Sequence, residues 1–407
     1  MNVTEVVVTG LGATTPLGGD VASTWEALVA GRSGVHLLEH EWAQELPCRI
    51  AAELAVEPSE VLPRVRLRRL DRSEQIALVA AQQAWDDAGL NDDLEKERLG
   101  VVFGSGIGGA LTLLAQDDIL EESGARKVSP FTVPMLMPNG PAAVVGLEFH
   151  ARAGVHAPTS ACATSAEAIS WAADMIRVGR ADVVIAGGAE AVIGGLPMAG
   201  FSSMKAMSTR NDDPTHASRP WDRDRDGFVM GEGGGALILE RRDHAEARGA
   251  KIYAVVAGSG LTSDGFDMVQ PDPECRGGGR AMAAAIKQAG IDPKEIGHVN
   301  AHATSTPVGD MAEVKGVKRE VGDHVVLTAT KSMTGHLLGG AGAVESIAAI
   351  LAIVEGVIPP TINLENPDPA LDLDVAANEA RKVELNAALN TAFGFGGHNA
   401  ALLFTKA

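Results

Sequence analysis

The chain has 407 residues, 45% hydrophobic and 21% charged, enough to bury a large core and by length alone to form two or three domains. A formal net charge of -19 argues against nucleic acid as a partner, because phosphate recognition needs a dense basic face. Three cysteines (Cys48, Cys162 and Cys275) in no CxxC spacing argue against a disulfide framework or a zinc site; with no signal-peptide pattern at the start and only short apolar runs such as residues 347–354, a cytoplasmic protein is expected.

In chain order, residues 6–10, 99–104, 182–188 and 235–239 read as strands in the first half, and 253–258, 298–301, 325–328 and 400–404 in the second. Apolar residues at helical spacing predict helices at 73–88, 165–178, 280–289 and 344–354. Such an alternation predicts an α/β chain with buried sheets.

The first motif is Gly104-Ser-Gly106-Ile-Gly-Gly109, between a strand and a helix that starts at Ala110, which matches the dinucleotide fingerprint. No second strand ending in Asp or Glu follows about 20 residues later, so the glycines read as a tight turn that lets chains pack closely. Next comes Cys162, in Thr159-Ser-Ala-Cys162-Ala-Thr-Ser, between an extended segment at 153–158 and the helix at 165–178. A helix N-terminus favours negative charge and predicts a lowered thiol pKa, and Ala161 and Ala163 leave room for a substrate. The plain alternative is a buried structural cysteine. Asp222-Arg-Asp224-Arg-Asp226-Gly227 opens like a calcium loop, but Glu232 falls one short of the twelfth position, held by Gly233, and no helices flank it. Internal ion pairs in a rigid turn are the better reading.

Two histidine motifs follow, each at a strand-to-helix junction among small residues: Asn300-Ala-His302-Ala-Thr-Ser-Thr and Lys331-Ser-Met-Thr-Gly-His336. A cysteine and two histidines in similar local settings, far apart in sequence, suit a nucleophile with two acid/base or hydrogen-bonding partners.

These blocks, with Val6-Val-Val-Thr-Gly-Leu-Gly12 near the start and Phe393-Gly-Phe395-Gly-Gly-His-Asn399 near the end, resemble the β-ketoacyl-[acyl carrier protein] synthases over essentially the whole chain, most closely the type II enzymes of dissociated bacterial fatty-acid synthesis. Ala303, where the family usually has glycine, and Thr391, where asparagine is commoner, depart from the pattern. The resemblance implies a thiolase fold, with duplicated βαβαβαββ halves in a five-layer αβαβα arrangement. The halves would be residues 1–250, carrying the nucleophile, and 251–407, carrying both histidines and the lysine. It implies a decarboxylative condensation in fatty-acid elongation, with acyl carrier protein as partner, a homodimeric assembly, no required cofactor and no catalytic metal. A structural monovalent cation near Thr391 is left open.

Residue chemistry fits those roles. Cys162 would hold the acyl group as a thioester, and the backbone N–H groups of Cys162 and Phe395 would form an oxyanion hole. Neutral His302 and His336 would hold the enolate; which of them also activates the thiol or a water stays open. Lys331 is expected to order the site through Glu313 or Asp310, and Glu345 joins that ordering group. By resemblance, Thr304 and Thr306 bind the pantetheine arm, Phe201, Phe393 and Phe395 line or gate the entrance, and Ile107 floors the acyl pocket. Arg68, Arg69, Arg126, Lys127 and Lys205 are the expected carrier-docking residues, whereas Arg64 and Arg66 read as solvated charges. A thiolase-type transferase is disfavoured because it needs a second cysteine near the C-terminus and the last one here is Cys275. A non-catalytic chain-length subunit is disfavoured because the nucleophile is present; a polyketide ketosynthase would share the same chemistry.

Overall fold

A computed structural model describes residues 4–91 and 93–407. Its main sheet has 11 strands: β1 (Val6–Thr14), β2 (Leu99–Gly104), β3 (Gly154–His156), β4 (Val183–Glu190), β5 (Gly233–Arg241), β6 (Ala254–Ser263), β7 (Ile296–Asn300), β8 (Val326–Thr328), β9 (Asp374–Val375), β10 (Ala387–Gly394) and β11 (His398–Thr405). The spatial order is β9-β8-β7-β10-β11-β6-β1-β5-β4-β2-β3. The five strands from β3 to β1 and the five from β8 to β6 repeat one pattern: three parallel strands followed by two antiparallel ones. Among the described residues the two sets join only at β1 and β6, through Val7 with Val255 and Val8 with Ala254.

The helices that matter here are α1 (Arg72–Asp87), α2 (Ala110–Ser123), α3 (Gly140–Glu148), α4 (Thr164–Arg177), α5 (Gly195–Ser203), α6 (Arg276–Ala289), α7 (Gly309–Glu320) and α8 (Ala341–Glu355). α1 and α3 cover the outer face of the first half's sheet, and α6, with α7 beside it, covers that of the second. α4 and α8 lie between the sheets and touch strands of both. Each half thus runs βαβαβαββ and the whole is five-layered, as expected. The middle layer's core draws on both halves: Ile169 and Ile176 of α4, Ile347 and Ile350 of α8, and Val8 and Phe404 from the strands.

The sequence explains how closely the layers approach. α1 starts with a capping box, Asp71 with Glu74, and turns Ala80 and Ala84 towards β1. A Cβ built at Gly10 would lie 2.2 Å from Ala84 O, and one at Gly12 2.0 Å from Ala80 O. The same device recurs in the second half, where Gly258 and Gly260 of β6 meet Ala285 O and Ala281 O of α6, each at 2.0 Å. Helix and strand therefore touch backbone to backbone, and a single added methyl at any of these glycines must displace main chain.

The membrane expectation needs one correction. The apolar stretch Leu338–Glu355, 18 residues, is long enough by composition to cross a membrane, but 89% of it is buried between the sheets, where it serves as core.

Candidate active site

Cys162 sits at the elbow between β3 and α4, in the 3-10 turn Ala161–Ala163. Ala161 has φ 51°, a left-handed conformation that a residue with a Cβ adopts at a cost of about 1–2 kcal/mol. Thr164 holds the turn: its Oγ1 donates to Ala161 O at 2.7 Å and accepts from Ser160 N–H at 2.9 Å. The C-terminal end of β10 lies against this elbow. A Cβ at Gly394 would fall 2.4 Å from Ser160 O and 3.2 Å from Cys162 N, so only glycine lets the 393–395 segment approach the cysteine.

The expected lowering of the thiol pKa does not survive burial. Cys162 is 8% exposed, and loss of water pushes its pKa up to about 12; Lys331 pulls it down, while Glu190 and Glu345 push it further up. Burial also raises Cys48 to about 11 and Cys275 to about 12, so acidity does not single out Cys162. Its neighbours do.

One cavity of about 270 Å³ brings together Cys162, His302, His336, Thr304, Thr306, Phe201, Phe393 and Phe395. The His302 and His336 rings stand edge to face, centroids 5.4 Å apart. Burial, with the nearby Lys331 charge, holds both well below the usual histidine range, so both are neutral at pH 7. The main chain at His302 is fixed by Glu313 of α7, which accepts from His302 N–H at 2.9 Å and Ala303 N–H at 2.8 Å, and from Thr391 Oγ1 at 2.5 Å. His336 N–H donates to Val229 O at 2.7 Å.

Lys331 departs from the expected arrangement. Its buried ammonium pairs with Glu345 of α8, and neither Glu313 nor Asp310 is its ion-pair partner. Glu313 is occupied by the amides at 302–303, and Asp310 accepts from Trp221 N–H and Thr306 N–H, both at 3.1 Å, beside Arg225. The Asp-rich turn at 222–227 proves to be the internal ion-pair structure expected. Asp222 pairs with Arg219 at 3.1 Å, and Arg225 pairs with Asp368 at 3.0 Å while donating to the carbonyls of Thr306 and Pro307. It thereby fixes the threonine loop.

Ile107 lies outside this cavity and is 39% exposed, on the turn that mimics a nucleotide fingerprint. Arg68, Arg69, Arg126, Lys127 and Lys205 are all exposed; Lys205 borders the cavity and Arg69 lies over the Phe131 ring. Arg66 is not simply solvated, since it pairs with Glu148 at 2.5 Å. Two residues beside the site went unread in the sequence: Phe228, whose ring meets His336 at 5.6 Å, and Glu190, which gathers the turn carrying Ile107. Neither belongs to a motif with a chemical signature.

Comparison with known proteins follows the same lines. Residues 3–245 match the family described as Beta-ketoacyl synthase, N-terminal domain, and residues 253–365 match Beta-ketoacyl synthase, C-terminal domain. A 3-oxoacyl-[acyl-carrier-protein] synthase 2 of Mycobacterium tuberculosis is 48% identical over 405 residues, covering 98% of this chain and 97% of its own length. Its counterpart from Vibrio harveyi is 45% identical over 412 residues, covering 100% and 99%. Among solved structures, a beta-ketoacyl synthase from Burkholderia phymatum superposes with a TM-score of 0.92 at 36% identity, covering 99% of this chain and 100% of that one. A type II PKS ketosynthase in complex with its acyl-carrier protein and bound to the hexaketide gives 0.91 at 30%, with 100% of both chains covered.

Proposed function

Given that this chain belongs to the beta-ketoacyl synthase family, we propose that it condenses malonyl-acyl carrier protein with an acyl primer held on Cys162 in fatty-acid elongation, releasing carbon dioxide and giving 3-oxoacyl-acyl carrier protein. The chain is an acyltransferase of the 3-oxoacyl-[acyl-carrier-protein] synthase 2 type. The observation that carries this reading is the meeting of a buried thiol with two neutral imidazoles in one cavity.

In the first half-reaction the Cys162 sulfur attacks the primer thioester. The S–H proton passes to a neighbouring imidazole, the carrier's thiol leaves protonated, and the acyl group stays on sulfur. The oxyanion formed on the way is received by the backbone N–H groups of Cys162 and Phe395, whose proximity rests on Gly394. In the second, malonyl carrier protein loses carbon dioxide, and its C–C bonding pair becomes an enolate whose oxygen is held by His302 and His336. Neutral rings suit that step, because an imidazolium would protonate the enolate and quench it. The enolate carbon then attacks the acyl thioester, and the Cys162 sulfur leaves as a thiolate that takes a proton from solvent to restore the thiol. Lys331, paired with Glu345, holds positive potential beside the thiol and both rings, and Asp310 and Glu313 fix the loop between them. Thr304 and Thr306 receive the pantetheine arm; Phe201, Phe393 and Phe395 line its entrance.

No cofactor beyond that pantetheine is needed. A structural monovalent cation fits, because Asn300 Oδ1, Asn390 Oδ1 and Glu345 Oε2 are buried without hydrogen-bond partners on adjoining elements. Three oxygen acceptors suit a hard cation, which would supply charge compensation for the carboxylate beside Lys331. Thr391 has its hydroxyl engaged with Glu313 instead.

The same proposal includes halves at residues 1–250 and 251–407, a cytoplasmic location and a homodimer. Two surfaces support the homodimer: no residue of α2 is buried, and Leu113, Leu120 and Val133 are exposed, as is Ile107. β3 is a sheet edge with Val155 43% exposed. The partner would close the floor at Ile107. Carrier protein would dock on the exposed Arg68, Arg69, Arg126, Lys127 and Lys205, the last of which borders the cavity.

The deciding experiment incubates the purified protein with acyl and malonyl carrier proteins and follows the carrier by intact mass. A carrier bearing the primer extended by two carbons as a 3-oxo thioester is expected. Acyl transfer without extension overturns the reading. Extension of poly-β-keto chains but not of saturated primers selects the polyketide alternative that the hexaketide-bound neighbour supports.

A further inference from the structure

Glu190, the last residue of β4, is fully buried and enters the chemistry above only as a charge that raises the Cys162 pKa. Its carboxylate accepts four hydrogen bonds, all from neutral donors. Oε1 takes Ser105 Oγ at 2.7 Å and Ile107 N–H at 3.2 Å, and Oε2 takes Gly106 N–H at 2.8 Å and Gly339 N–H at 3.1 Å. Two donors on each oxygen suit a carboxylate; a carboxylic acid could turn its O–H only towards the Ser105 hydroxyl, since the other three partners are amides that cannot accept. Burial raises the group's pKa, and these four donors counter that rise.

Three segments meet at this carboxylate. One is the turn that bears Ile107. The second is the loop following His336, at Gly339, where a Cβ would lie 2.5 Å from Gly106 N. The third is the elbow of the nucleophile, since a Cβ at Gly106 would lie 3.2 Å from Ala161 O. The space between is apolar, because Cys162 shares a core cluster with Ile193, Met198, Leu338 and Ala110.

We propose that Glu190 is a positioning residue that fixes the closed end of the acyl pocket relative to Cys162, and so sets how sharply the enzyme selects chain length. This rests on the reading of Ile107 as the pocket floor. A floor tied by two of its own amides and the Ser105 hydroxyl, to a carboxylate that also holds Gly339, keeps its distance from the sulfur, whereas one tied by fewer can yield to a longer chain. His336 itself is held independently, by Val229 O and by Gly231 N–H, so the decarboxylation site does not depend on Glu190.

The test is Glu190→Gln. It presents an NH2 group to donors that need an acceptor, at a cost typical of unmade buried hydrogen bonds to a charged group. Single-turnover acylation of Cys162 is measured across primers of increasing length, alongside malonyl decarboxylation without primer. The expected result is a flattened length profile: the ratio of kcat/KM between preferred and rejected lengths falls about tenfold or more, with decarboxylation retained. Ser105→Ala, which removes one donor and leaves the carboxylate, should flatten the profile in the same direction by less, and it carries the test if Glu190→Gln does not fold. Equal loss at every length and in decarboxylation would show a general structural role and overturn the proposal. Ile107→Ala separates the two readings. A profile moved by Ile107→Ala but by neither Glu190→Gln nor Ser105→Ala overturns the role of Glu190 alone; a profile moved by none of the three overturns the pocket reading and this inference with it.

Discussion

The imidazoles of His302 and His336 face each other edge to plane at 85°, and the Nδ1 atom of each is buried without a hydrogen-bond partner. Among the described residues no carboxylate pairs with either ring, since Glu313 of the same cavity is taken up by the amides at 302–303 and Thr391, and the Lys331 charge opposes an imidazolium on both. A pair of neutral donors follows, and with it the first expectation.

Alanine at His302 or His336 should slow malonyl decarboxylation by roughly 10²-fold or more, the usual loss for one oxyanion donor, about 3 kcal/mol. Some acylation of Cys162 should remain. Radiolabelled carbon dioxide release and intact-protein mass measure the two halves separately, and unchanged decarboxylation in both variants contradicts the role.

The histidine pKa shifts have a definite sign. A ring held well below the ordinary 6.5 takes up its proton only at pH far below that value. Decarboxylation should therefore show no acid limb near pH 6.5, and the two ring signals should stay in the neutral form in NMR titrations from pH 8 to about 5.5, where an exposed histidine is already mostly protonated. Titration of either ring near 6.5 would refute the assignment.

Cys162 should be the only acylated thiol, although Cys275 lines the same cavity. Cys162→Ala should abolish transfer with the fold intact by circular dichroism. With its pKa raised, the resting thiol stays protonated at neutral pH, so alkylation by iodoacetamide should keep accelerating above pH 9. Lys331→Ala removes the cation that lowers this pKa and should slow alkylation at any given pH. A plateau below pH 8 in the parent protein would contradict the buried, protonated state.

Reversing Arg68, Lys127 and Lys205 to glutamate should raise KM for acyl carrier protein and weaken its salt dependence, because exposed charges act through encounter and are screened beyond about 10 Å. Turnover of a short pantetheine thioester should persist. Equal loss with both substrates would assign these side chains to structure and not to docking.

Gly394→Ala places a methyl 2.4 Å from Ser160 O, which is main chain and cannot step aside. The 393–395 segment should move off the elbow, lowering kcat for acylation about tenfold or more as the oxyanion hole opens, with a small change in Tm. An unaltered kcat would remove Phe395 N–H from the hole.

Much of this architecture was legible before any coordinates. The strand at 99–104 matches β2 in full, and the helices at 73–88 and 165–178 shift by one residue against α1 and α4. Cys162, His302, His336 and Lys331 were readable because each lies in a motif rich in small residues, where a reactive side chain stands out. β10 was missed as a strand because Ala387–Gly394 has no alternation, being covered on both faces. Glu345 was assigned to the group that orders the site, although Glu313 and Asp310 were named as the partners of Lys331; Glu190 was not assigned because no local pattern marks a carboxylate whose donors lie in two other segments. The lowered thiol pKa failed for a related reason, since a helix N-terminus is local but burial is global. One signal was present and unread: Gly10-Leu-Gly12 before Ala80 and Ala84 recurs as Gly258-Ser-Gly260 before Ala281 and Ala285, the duplication written in residues.

The middle layer of α4 and α8 is completed only when both halves press on it. For a chain emerging from a ribosome this sets an order of events. The nucleophile is synthesised long before the histidines, in a half whose inner face has nothing to cover it, and it meets a base only when the second half docks. The thiol thus lacks both imidazole partners through synthesis, and catalytic competence arrives last. In refolding from denaturant, the far-ultraviolet signal should recover before Cys162 becomes acylatable, with the lag set by association of the halves.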